Sequence, residues 1–213
     1  MDEYRDDMGI MSDALFNYLL RLGWGYGDRE EITRAEATEL FDLSGVGKSP
    51  SRFDLKKLEN LNGHYIRESD DALLTPLVAK RIEGDVDTDL LERAMPVLKM
   101  RAKNLDELAD GAGFLFANRP LEMTEKAAKF LDDDGRVRLS AVSAALAKEN
   151  DWTSEALEAT TKSLAEELEL GFGKLAQPMR AALTGTTTSP GIFDVLVLLG
   201  REESLARIDA QSA

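Results

Sequence analysis

The chain has 213 residues, 43% of them hydrophobic and 31% charged, with 40 acidic against 26 basic side chains and a net charge of −14; it is the composition of a globular, acidic protein able to bury about 70% of its unfolded surface in one or two cores. The absence of cysteine and the single histidine, His64, exclude disulfides, thiolate metal sites, a cysteine nucleophile and a histidine zinc cluster. The longest apolar run, residues 195–199 behind Ile192 and Phe193, falls far short of the roughly 20 residues of a bilayer span, and residues 1–7 carry neither a basic nor an apolar leader region, so a cytoplasmic location is expected.

Helix punctuation then runs along the chain. Ser12 precedes a periodic stretch over 13–22 that stops at Gly23, with Leu15, Leu19 and Leu22, flanked by Phe16 and Leu20, at helical spacing. Thr33 with Glu36 three residues on forms a capping box. Asn62-Gly63 reads as a turn, and the acidic stretch after it, around 69–72, as a domain seam. Thr75 before Pro76 opens a helix running to Gly84. Thr88 opens another over 89 to about 103, kinked or split at Pro96 by the missing donor. Asn104 opens 105–109 before Gly111, and Arg119-Pro120 marks a second seam around 118–123. Thr124, Ser140 and Thr153 precede further periodic stretches, with Leu157, Leu164 and Leu168 in register. A helix ends at Thr184 with Gly185 beyond it, and Ser189 caps the next with Pro190 in its first turn. Strand-like alternation is confined to 137–139, so the expected fold is all-α, in three helical units.

Three short patterns resemble ligand sites and fail on inspection. Gly47, Lys48 and Ser49 match the end of a phosphate-binding P-loop, but Asp42 stands where its first glycine belongs and no strand precedes it, which leaves a turn. Asp132, Asp133 and Asp134 before Gly135 lack the alternating ligands and distal glutamate of a calcium loop, and read as a solvated turn. His64 has no nucleophile or ligand beside it and reads as a structural turn residue.

Charge is uneven. Residues 1–70 carry 15 acidic and 9 basic side chains, and 151–170 carry 6 and 1, whereas 170–193 contain no carboxylate but hold Lys174, Arg180 and the hydroxyls Thr184, Thr186, Thr187, Thr188 and Ser189. A second basic cluster is Lys99, Arg101 and Lys103. Local potential steers a polyanion more than net charge does, so an acidic chain can still present an RNA-binding face. The unpaired N–H groups at a helix start around Ser189 and Gly191 would add donors suited to phosphates or base edges. The plainer reading of 176–208 is a capped helical hairpin.

The segment AQPMRAALTGTTTSPGIFDVLVLLGREESLARI resembles the C-terminal end of bacterial glutamyl-tRNA synthetases. MGIMSDALFNYLLRLGWGYGD, SPSRFDLKKLENLNGHYIRE and LKMRAKNLDEL resemble three more blocks of that family, in the family's order. Neither the HIGH-like nor the KMSKS-like signature of the nucleotide-binding fold is present, so the resemblance is to the C-terminal part alone. It implies a helical stem-contact domain over 1–70 meeting the inner corner of the tRNA. Two helical anticodon-binding domains, 71–122 and 123–213, would follow as an α-helix cage. It further implies no catalytic residue and no metal in this chain, ATP and magnesium belonging to a catalytic domain acting in cis or in trans, and a monomer that binds glutamate tRNA and no membrane. The competing expectation, raised by the net charge, is an acidic helical protein-protein interaction module that has lost RNA binding.

Carried over block by block, the family's anticodon contacts fall on Arg101, Arg180, Ser189, Pro190 and Ile192. Glutamate anticodons end in C and glutamine anticodons in G. A guanidinium can donate twice to the O2 and N3 acceptors of cytosine, whereas the N1–H and N2–H of guanine would face donors; each group thus left unpaired costs about 1–3 kcal/mol. Arg101 is the expected discriminator, against the alternative that its stem lies along the core rim with the charge in water. Arg180 would stack on a splayed base or hold a phosphate, against the alternative of a solvated helix face. Pro190 and Ile192 would give apolar contact to a base, against the alternative of packing at a helix start.

Overall fold

The computed structural model describes residues 2–47 and 51–212. In chain order the α-helices are α1 (Ser12–Gly23), α2 (Arg34–Leu40), α3 (Leu55–Glu68), α4 (Asp71–Ala79), α5 (Thr88–Leu98), α6 (Leu105–Ala112), α7 (Glu125–Ala128), α8 (Asp133–Leu146), α9 (Ser154–Glu167), α10 (Gly173–Thr184) and α11 (Ile192–Ser212). Among the described residues the extended pairing amounts to one isolated bridge, Trp24 to Val46, and the all-α expectation holds. The chain divides into two compact units, Met1–Gly84 with Leu98–Asp110, and Asp85–Val97 with Gly111–Ala213.

In the first unit α1 buries two faces. Leu15 and Tyr18 join Ile10 and Leu58 in one cluster, while Phe16 and Leu20 pack beside Trp24, Ile32 and Ala37 in another. Complete burial of side chains such as Leu58 and Ile32 contributes about 1.5–3 kcal/mol each. Asn17 is fully buried and paired through both ends of its amide: its Nδ2 donates to Glu30 O at 2.9 Å and its Oδ1 accepts the Ile32 N–H at 3.1 Å. The capping box at Thr33 and Glu36 forms as the pattern predicts. Leu19, expected on the apolar stripe, is exposed, because α1 presents Leu15 and Tyr18 rather than the full leucine series to the core.

In the second unit α8, α10 and α11 pack on one another, with α9 against α8 and α11 and α7 against α10. Leu157 is buried, but Leu168 is exposed because it falls just past the end of α9. Gly200, at φ +75°, breaks α11 in a conformation that suits glycine. Thr124 and Thr153 cap α7 and α9 as expected.

Several local expectations are corrected. Asn62 and Gly63 form no turn; they lie inside α3, together with His64, whose Nε2 sits 2.9 Å from Glu31 Oε1. Thr75 does not open a helix. Asp70 caps α4 by accepting the Ala72 N–H at 2.8 Å, Thr75 Oγ1 donates back to Asp71 O, and α4 stops at Ala79. For α5 the cap is Asp87, whose Oδ1 accepts the N–H groups of Asp89 and Leu90 at 3.0 Å. That helix ends at Leu98 rather than near 103, two residues after Pro96 withholds its N–H.

The Asp132–134 run is a helix start, not a solvated turn: Asp132 caps α8 through the Gly135 N–H at 2.8 Å, and Asp133 and Asp134 occupy its first turn, where the helix dipole favours carboxylates. Ser140 lies inside the same helix and bonds to Arg136 O. Gly135 permits this start, since a Cβ there would sit 2.0 Å from Phe130 O. The P-loop lookalike shows a single 3-10 turn over Leu43–Gly45; Lys48 and Ser49 lie outside the described residues.

Candidate nucleic-acid interface

In the first unit, the turn between α5 and α6 carries Arg101. Its backbone is anchored on both sides, by Leu98 and Ala102, both buried, while Arg101 itself is exposed and Met100 beside it is 61% exposed. Lys99 does not share that exposure. Its ammonium lies 2.6 Å from the Asp71 carboxylate and donates to Ser69 O at 3.0 Å, so the basic cluster read from the sequence presents Arg101 and Lys103 alone. Asn104 closes the turn as predicted: its Oδ1 accepts the Glu107 N–H at 2.7 Å, and the Glu107 carboxylate returns to the Lys103 N–H at 2.8 Å.

In the second unit, the hydroxyl turn between α10 and α11 is pinned at nearly every carbonyl. Gly185 ends α10 at φ +71°, and a Cβ there would meet Glu122 O at 2.2 Å. The Gly185 carbonyl accepts from the N–H of Thr124 at 2.9 Å and from its hydroxyl at 3.3 Å. Thr186 Oγ1 donates to Thr188 O at 2.6 Å. Arg180, from the preceding helix, donates through Nη1 to Pro190 O at 2.9 Å, to Ser189 O at 3.3 Å and to the Ser189 hydroxyl.

The structure therefore brings Arg180, Ser189 and Pro190 into one hydrogen-bonded corner, with Ile192 just beyond it. Ile192 is 4% exposed and Pro190 is buried, so their side chains face the core. Ser189 stands three residues ahead of the start of α11 rather than next to its first turn. Its hydroxyl is engaged with Arg180 and Pro190 O, and the helix begins at Ile192 after Gly191. The Asp194 carboxylate lies against Gly191 at that helix start, within 2.4 Å of where a Cβ would be, and sets a negative charge beside it.

A residue without sequence signal underlies this turn. Arg207, 3% exposed, sends its guanidinium into the core of the second unit, donating to Phe114 O and Leu183 O at 2.8 Å each, to Ala117 O at 3.1 Å and to Glu203 at 2.6 Å. Leu183 immediately precedes the hydroxyl turn, so Arg207 ties that corner to the Gly113–Leu115 segment. On the sequence it is an ordinary charge three residues after Ser204. Nothing in the local pattern announces its burial.

A family model described as an anticodon binding domain matches residues 71–211, which include both turns and all five candidate residues. The chain belongs to the anticodon-binding domain family. Over its full length it is 72% identical to glutamate–tRNA ligase 1 of Erythrobacter litoralis, of which it covers 44%. It is 60% identical over 99% of its length to glutamate–tRNA ligase 2 of Rhizorhabdus wittichii, covering 46% of that protein. The chain thus spans less than half the length of these relatives. Its fold matches a crystal structure of a glutamate tRNA ligase from Elizabethkingia meningosepticum in complex with its amino acid, with a TM-score of 0.85 at 26% identity, over 98% of this chain and 42% of that one. Among the described residues no group of three or more acidic or histidine side chains is placed to hold a metal ion, and no helix is long and apolar enough to cross a membrane.

Proposed function

We propose that this chain is the tRNA-binding portion of a glutamate–tRNA ligase, with residues 1–70 meeting the inner corner of the tRNA and the domains 71–122 and 123–213 holding the anticodon loop. The reading is carried by one observation: within the region matched to the anticodon-binding family, Arg101 is exposed in a turn held between the buried Leu98 and Ala102. A planar cation on an anchored turn suits recognition of an unstacked pyrimidine edge. Arg180 and Ser189 shape the second contact. The burial of Pro190 and Ile192 favours a part for them in supporting that corner. Glutamate activation, with ATP and magnesium, belongs in this proposal to a catalytic domain outside the sequence, supplied in cis or in trans, and the chain works as a cytoplasmic monomer.

Filter binding at two salt concentrations tests the reading. Glutamate tRNA should bind saturably and more weakly as salt rises, and Arg101→Gln should narrow the preference for C over G at the third anticodon base by about tenfold, the worth of one or two lost hydrogen bonds. Equal retention of unrelated tRNAs, or an unchanged preference in the variant, would refute it.

A further inference from the structure

We infer that Asn62 and Gly63 of α3 are positioning residues that seat the Arg101 turn and thereby set the choice between C and G at the third anticodon base without touching RNA. The inference rests on the role of Arg101 proposed above. Asn62 is fully buried in the first unit. Its Oδ1 accepts the Met11 N–H at 2.8 Å, and its Nδ2 donates to Lys103 O at 2.7 Å and to Gly9 O at 3.3 Å. With its acceptor and both amide hydrogens engaged, the side chain has one orientation that satisfies all partners.

The next residue explains how the turn comes so close. A Cβ on Gly63 would lie 3.2 Å from Ala102 O and 3.3 Å from Lys103 Cα. The two residues that follow Arg101 therefore rest on bare helix backbone and are fastened there by the neighbouring amide. On the other side of Arg101, Lys99 is tied to Ser69 O and Asp71. The turn that carries the exposed Arg101 is thus held against the α3–α4 segment on both sides of that residue, and a shift of the turn shifts the root of the side chain.

Helix stability does not account for a glycine here. Gly63 lies in the interior of the 14-residue α3, where alanine is the more favourable residue. What alanine cannot do is leave the turn where it is. The added methyl would push the 102–103 backbone by a few tenths of an ångström, and displacements of this order at a recognition group reduce discrimination.

The experiment uses the full 213-residue chain and two anticodon stem-loop RNAs that differ only in C or G at the third anticodon base, with affinity read by fluorescence anisotropy and folding by thermal melting. For Gly63→Ala we expect an unchanged or raised melting temperature and a C-over-G preference about three- to tenfold below wild type, the loss expected from a displaced hydrogen-bonding group. Asn62→Asp keeps the acceptor for Met11 but sets a carboxylate oxygen against Lys103 O, and should lower the preference further; if it fails to fold, Gly63→Ala decides alone. A folded Gly63→Ala chain with the wild-type ratio, or with both affinities reduced equally, overturns the inference while leaving Arg101 as the reader. Wild-type chain that binds both RNAs equally removes the role of Arg101, and the inference with it.

Discussion

Arg207→Met is the sharpest test of the second unit. Methionine matches the length of the arginine stem and keeps most of its packing, so the substitution removes the guanidinium with little change in volume. Four bonds vanish: those to Phe114 O, Leu183 O, Ala117 O and Glu203. Glu203 is half-buried and retains Arg119 at 3.4 Å, and Ala117 is exposed enough for water to replace the lost donor. The cost therefore falls on the carbonyls of Phe114 and Leu183, both buried residues. At about 1–3 kcal/mol for each buried group left unpaired, the loss is 2–6 kcal/mol, offset in part because a guanidinium no longer has to be desolvated. A net destabilisation of about 3 kcal/mol follows, or roughly 6–12 °C in melting temperature for a chain of this size. Arg207→Lys should recover only part of it, since one ammonium cannot span three carbonyls. Thermal and urea unfolding followed by circular dichroism would measure both variants. A loss under about 1 kcal/mol for methionine, or full recovery by lysine, would refute the account of Arg207 as a buried three-carbonyl clamp.

Two further outcomes are expected. Arg180→Ala frees the carbonyls of Ser189 and Pro190; it should weaken binding of C- and G-ending anticodon loops alike, by about five- to thirtyfold for one or two such bonds, whereas a change confined to melting temperature would leave the residue a purely structural role. Glu36 is held down to about 2, first by the Thr33 backbone N–H, then by Arg29 and the Thr33 hydroxyl. Between its ordinary value and that depressed one the folded chain binds fewer protons than the unfolded chain, so the capping contribution is complete at neutral pH and is lost as pH falls through the window from 4.5 to about 2. The stability gap between wild type and Glu36→Gln should close on acid titration, and a gap independent of pH would show that the carboxylate does not carry the cap.

The chain alone determined its all-helical character and several of its caps. Thr33, Asn104, Thr124, Thr153 and Gly185 act where their local grammar puts them, because a cap is satisfied by backbone groups two or three residues away and needs nothing from the rest of the fold. Arg101 stood out through the resemblance of its block and the nearby basic cluster, but its place in a turn did not, because the helix was expected to run to about 103 and ends at Leu98. What tertiary structure decided were the long-range partners. Asn62-Gly63 has the composition of a turn, yet becomes helix because its amide and its missing Cβ are used by the backbones of Gly9, Met11 and Lys103, some 40 to 50 residues away. Lys99 looks like part of a positive patch until Asp71 neutralises it. Ser189 has the chemistry of a cap, but α11 begins only at Ile192, and the Ser189 hydroxyl is met by Arg180. Arg207 carries a charge that sequence reasoning assigns to the surface, and only the convergence of three carbonyls from separate segments makes its burial favourable.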